Sequence, residues 1–214
     1  QGDSLFDMSN ALEGHHVLNE LAQGKKNVKD FDRYMDSLTV KMEANDILMN
    51  FVTNHDENAW AGPLRERMGE ASETMTALTY TLPGMPLIYS GQEYDLNKRL
   101  SFFGKDTIPN TKGMTWLLLN KLGNLKNTLP ALEGGKEPAS YERIATSLDE
   151  NVLAFRRKKG NSELIYVANV SENPVTFTLP VSGEFTNAMD KGTVNLLDNQ
   201  EHSFAPWEYL ILTK

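Results

Sequence analysis

Four consecutive residues, Asn54, His55, Asp56 and Glu57, can donate, accept or titrate, and they follow directly on the apolar run Ile47–Val52. A short run of that kind reads as a strand buried on both faces, and in parallel α/β folds catalytic groups gather at the carboxyl ends of such strands. An exposed carboxylate beside an imidazole at that place can bind hydroxyls and stabilise developing positive charge. The alternative use of the same residues is local: Asp56 caps a turn or helix while His55 and Asn54 tie down a loop.

A second stretch favours the first use. After a helical segment comes Leu82-Pro83-Gly84-Met85-Pro86-Leu87-Ile88-Tyr89-Ser90-Gly91-Gln92-Glu93, another short apolar strand that ends in a glycine and an acid. Together the two stretches resemble two signatures of the α-amylase family of glycoside hydrolases. Phe51, Asn54, His55 and Asp56 match Phe-x-x-Asn-His-Asp, at strand seven of a (β/α)8 barrel. Gly84, Pro86, Tyr89, Gly91 and Glu93 match Gly-x-Pro-x-x-Tyr-x-Gly-x-Glu, at strand eight.

The resemblance implies that Asp56 is the acid that hydrogen-bonds the sugar and stabilises the transition state, that His55 donates to the same sugar, and that Asn54 belongs to the substrate site. Retaining hydrolysis needs two further carboxyl groups roughly 5 to 5.5 Å apart, one a nucleophile and one a general acid and base. The family carries these on strands four and five, which would precede Gln1. The implied function is the carboxyl-terminal part of a retaining hydrolase of α-glucans such as starch or maltooligosaccharides, with this chain alone inactive. A non-catalytic glycan-binding or interaction module that kept Asn54-His55-Asp56 is the alternative. No cofactor is identifiable in the chain; calcium in the complete enzyme is an implication of the resemblance only.

Trp60 is placed to stack on a sugar at the cleft lip or to cap the next helix, and Tyr89 to line the sugar site or fill the barrel top. Glu93 reads as a structural acid bonding loop backbone; Tyr94 and Lys98-Arg99 are loop candidates. Trp116 and Trp207 are expected in cores. His15 and His16 are about 100° apart on a helix and cannot share one ion, so no metal site is expected.

Composition narrows the partners. At 214 residues, 40% of them hydrophobic, the chain buries a real core and is not disordered. A net charge of −8 disfavours nucleic acid and anionic membranes, and a neutral oligo- or polysaccharide fits. No run approaches the roughly 18 apolar residues of a membrane span, and no signal peptide is visible at Gln1. The absence of cysteine leaves the compartment open, with an extracellular or periplasmic location suggested only by a polymeric substrate.

Positioning falls to alternating elements. Leu5–Met8 reads as a strand, and Asn10 caps a helix carrying Leu12, Val17, Leu18 and Leu21 that ends at Gly24. Asn27 opens a helix with a stripe at Val28, Phe31, Met35, Leu38 and Met42. The strand from Ile47 follows, then a helix from Gly62-Pro63 carrying Leu64, Met68, Ala71, Met75 and Leu78, and a strand at Leu87–Tyr89. A polar loop from Gln92 to Lys112 precedes a helix through Leu118, Leu119, Leu122 and Leu125, stopped by Pro130 and Gly134-Gly135. This order implies parallel strands with right-handed crossovers.

From Gly135 the period shifts to two, with strands expected at 141–147, 152–157, 164–170, 175–179, 193–197 and 209–213. The expected architecture is α/β followed by all-β: about the last three βα units of a (β/α)8 barrel over residues 1–134, then an antiparallel β-sandwich over 135–214. Three barrel strands leave two open edges, so the chain is expected to pair with an upstream barrel half or to self-associate, and not to be a monomer alone.

Overall fold

The computed structural model describes residues 7–43 and 45–214, so Leu5, Phe6 and the start of the first expected strand lie outside the described residues. Asn27 shows how directly residue type sets local structure. The Lys29 N–H donates to its Oδ1 (3.0 Å) and its own N–H donates to Asp30 Oδ2 (2.9 Å), a reciprocal cap that starts one helix. Around it run β1 (Met8–Asn10), α1 (Leu12–Ala22), α2 (Val28–Lys41) and β2 (Ile47–Asn50).

After β2 come α3 (Leu64–Met68), α4 (Ser72–Thr81), β3 (Met85–Pro86) and α5 (Met114–Thr128). One helix was expected across 64–78; Gly69, at φ +52°, breaks it, and a 3-10 turn over Gly69–Ala71 joins the halves. The stripe still faces inward, with Met68, Ala71, Met75 and Leu78 all buried. Among the described residues no helix is long and apolar enough to cross a membrane.

The three strands are parallel in the order β1-β2-β3, with Met8 opposite Ile47 and Met49 opposite Met85. Two expectations change here. The third strand pairs at Met85–Pro86, earlier than Leu87–Tyr89: the Leu87 N–H makes the last bond to β2, at the Asn50 carbonyl (2.8 Å), and the Tyr89 N–H is drawn into a turn by Gln92 Oε1 (3.2 Å). And β2 is not covered on both faces: Ile47, Leu48 and Met49 are only half-buried, and Met8 and Met85 are exposed. Gly84 explains the close approach of β3 to β2. Its φ is +109°, and a Cβ there would collide with the Leu48 carbonyl oxygen.

Beyond α5 the chain is all strand: β4 (Ser140–Arg143), β5 (Val152–Lys159), β6 (Ser162–Asn169), β7 (Val175–Leu179), β8 (Gly183–Asn187), β9 (Thr193–Leu196), β10 (Gln200–Phe204) and β11 (Tyr209–Thr213). Six form an antiparallel sheet in the order β4-β5-β6-β11-β8-β9, and β7 pairs with β10. Strands β8 and β10 were not expected. Gly183-Glu-Phe-Thr-Asn and Gln200-Glu-His-Ser-Phe each offer one large apolar side chain, too few for an alternation to show.

The larger sheet buries both faces. On one, Val152, Ala154, Ile165 and Val167 pack with Phe177, Leu179 and Phe204 of the β7–β10 pair. On the other, Leu153, Phe155, Tyr166 and Ile211 share a core with Met75, Leu78 and Leu122 of the helices. The apolar core therefore continues across residues 134–140, and Tyr166 Oη donates to the Thr74 carbonyl of α4 (2.9 Å). Trp207 packs on this core, whereas Trp116, expected in a core, lies half-buried on α5, stacked on Tyr94 at 6.0 Å beneath Lys112.

Lys126 locks α5 to this frame by donating to the carbonyls of Gly84 (2.7 Å) and Leu132 (2.6 Å). Burial, with a smaller push from Arg157, lowers its pKa to about 8. The folded chain thus releases this proton before the unfolded chain does. Between about pH 8 and the ordinary lysine value of 10.5 the unfolded state holds more protons, so this group's contribution to stability rises with pH. We expect the stability of the wild type relative to Lys126→Met to grow across that window by up to roughly 3 kcal/mol. Urea unfolding at both ends of the window measures it, and a flat difference contradicts it.

Candidate active site

The segment after β2 is clamped from beneath. Phe51 is buried with its ring stacked on His15 (4.5 Å, 13°), and His15 Nδ1 lies 3.3 Å from the Phe51 carbonyl oxygen. His15 Nε2 is 3.0 Å from Glu57 Oε2, so one fully buried imidazole of α1 holds both ends of the segment 51–57. Burial pulls the His15 pKa below 6.5 while Glu57 pulls the other way. Arg67, also buried, donates to the carbonyls of Val52 (2.8 Å) and Gly62 (2.9 Å) and to Asn19 Oδ1 (2.6 Å).

On this base the chain turns outward. Asn54 Oδ1 accepts from the Glu57 N–H (2.8 Å) and the Asn54 carbonyl from the Asn58 N–H (2.9 Å), starting a turn that continues as a π-helix over Glu57–Ala61. The capping role thus falls to Asn54, whereas Asp56 makes no side-chain cap bond. The Asp56 side chain is 56% exposed and that of His55 67%, with Nε2 and Oδ2 3.5 Å apart. Glu57, the next carboxylate, is turned inward to His15. A rigid support thus presents one carboxylate and one imidazole to solvent, able to bind hydroxyls and to meet positive charge.

Trp60, on the π-helix, is 66% exposed and packs at 5.3 Å on Phe102, as does His55 at 6.0 Å. The structure therefore brings Asn54, His55, Asp56 and Trp60 together. With Thr53, Asn58, Gln92, Asp95 and Tyr209, Tyr89 lines a cavity of about 620 Å³ that adjoins this segment at Thr53 and Asn58. Burial and the nearby Asp106 raise its pKa. Gly91, at φ +97°, makes the turn that follows, and Glu93 Oε2 accepts from the Gly91 N–H (2.8 Å). Among the described residues no three His, Asp or Glu side chains gather as a metal site.

The residues that brace the site come from three segments, His15 and Asn19 on α1, Glu57 after β2 and Arg67 on α3, and no local pattern in the sequence links these segments. Phe102 lies in a loop with no periodic signal.

No family model matches the chain. It is 28% identical over 154 residues to the α-amylase MalA of Haloarcula japonica, an alignment covering 67% of this chain and 22% of that protein. In fold it matches the maltogenic α-amylase AmyB of Thermotoga neapolitana with a TM-score of 0.82 at 20% identity, over 98% of this chain and 51% of that one. An α-amylase of Lactobacillus plantarum matches with a TM-score of 0.79 at 20% identity, over 100% of this chain and 50% of that one. The chain thus spans about half the length of these solved structures. In sequence the chain is similar to an α-amylase, and in fold it corresponds to the carboxyl-terminal part of α-amylases.

Proposed function

We propose that the chain is the closing part of a retaining glycoside hydrolase of α-glucans such as starch or maltooligosaccharides, with residues 1–134 completing a (β/α)8 catalytic barrel and 135–214 a carboxyl-terminal β-sandwich. The observation that carries this is Asp56: exposed, free of any capping bond, and held by a buried clamp just beyond the middle strand of the parallel sheet. Asp56 stabilises the oxocarbenium-like transition state, and His55 bonds a hydroxyl of the same sugar. Trp60 offers the bound glycan an aromatic face at the lip of the site. The nucleophile and the general acid come from parts of the whole protein outside this chain, which also cover the exposed strand β1 and the partly exposed β3.

The test is turnover of maltoheptaose, followed by NMR of the first products. The full gene product should release α-configured ends, and residues 1–214 alone should release none. Inverted products, turnover by the isolated chain, or inertness of the full product would overturn the assignment.

A further inference from the structure

Phe102 is 41% exposed and its neighbour Phe103 89%. Adjacent apolar rings left in water on a surface mark a place where something binds. They continue the row that begins at Asp56: from its carboxylate 3.5 Å to His55, from His55 6.0 Å to Phe102 at 27° between ring planes, and from Phe102 4.8 Å to Phe103 edge-on, with Trp60 flanking Phe102.

The loop displaying them is built to hold still. Buried Asn58 donates to the Lys98 carbonyl (3.0 Å) and accepts from the Leu100 N–H (2.8 Å). Asp106 accepts from Lys98 Nζ (2.6 Å) and from the Ser101 and Thr107 N–H groups (2.9 and 2.7 Å). Arg99 donates to the Trp60 carbonyl (3.2 Å) and to Glu66 (2.7 Å). Lys98 and Arg99 are thereby each paired with an acid, so the rings offer apolar faces in locally balanced charge. A neutral ligand with an apolar face and a polar rim fits such a surface, and a pyranose ring has that shape: C–H bonds on one face, hydroxyls around the edge.

We propose that Phe102 and Phe103, with Trp60, form a stacking subsite for the glucose units next to the one held at Asp56. This rests on the reading of Asp56 as the site of reaction. Calorimetric titration of maltoheptaose into the full gene product carrying Asp56→Asn tests it, because that background should bind substrate while turning it over at least about a hundredfold more slowly. Adding Phe102→Ala and Phe103→Ala should weaken maltoheptaose binding about tenfold or more, leave maltose binding within about threefold, and keep the melting temperature. Phe103→Tyr should retain affinity.

Unchanged maltoheptaose affinity overturns the subsite, as does a parent protein that does not bind maltoheptaose. A drop in melting temperature overturns it too, since the rings would then be packing against another part of the protein. Turnover in the Asp56→Asn background within about twofold of the wild-type rate would instead refute the role of Asp56.

Discussion

Asp56→Asn in the full gene product lowers kcat on maltoheptaose by at least about a hundredfold, roughly 2.7 kcal/mol, and changes KM far less. The carboxylate contributes most when positive charge develops on the sugar, and an amide of the same shape keeps the hydrogen bonding but not the charge. The fold around it should survive the change, because Asp56 caps nothing and its side chain is 56% exposed. Steady-state kinetics decide the matter, with circular dichroism to show that the variant is folded. A kcat within about twofold of wild type would mean that Asp56 supplies under half a kcal/mol and is a bystander.

The largest effect on stability is expected at Arg157. Its side chain is fully buried, and its guanidinium donates to the carbonyls of Thr81 (2.8 Å), Ser140 (2.8 Å) and Ala139 (3.4 Å). Thr81 is the last residue of α4, so a cation here meets the negative end of that helix while joining it to the sheet. Burial alone lowers the Arg157 pKa to about 10, still far enough above neutrality to keep the charge at pH 7.

Arg157→Met deprives two buried acceptors, the Thr81 and Ala139 carbonyls, and the part-buried Ser140 carbonyl of this donor, each buried one worth about 1 to 3 kcal/mol, against which the relief of desolvating a cation is a partial offset. The expected net loss is about 3 kcal/mol, or a melting temperature lower by roughly 10 °C for a chain of this size. Chemical and thermal unfolding measure it, and a loss under about 1 kcal/mol would show that water or neighbouring donors replace the guanidinium.

Features written in short range were legible from the sequence. The Asn27 cap, the stripes of α2 and of the segment 64–78, and the glycines at 84 and 91 each depend on residues within a few positions of one another, where periodicity and backbone preference act directly. The two motifs belong here as well: they singled out His55 and Asp56, and both side chains are exposed to solvent.

Tertiary structure decided whatever depends on residues far apart. Asn54 turned out to cap the turn and Tyr89 to line a cavity with Thr53, Gln92 and Tyr209, because hydrogen-bond partners and wall residues are chosen in space. His15, read only as half of a histidine pair, became the clamp of the segment 51–57 through a glutamate and a carbonyl on another element. The polar strands β8 and β10 exist because sheet edges offered them backbone partners, which a side-chain pattern does not record. Chain order likewise carries no instruction that β11 should lie between β6 and β8, or that the other face of that sheet should join the helices in one core. Local propensity selects elements one at a time, whereas burial of apolar faces and satisfaction of buried polar groups are settled only when the elements meet.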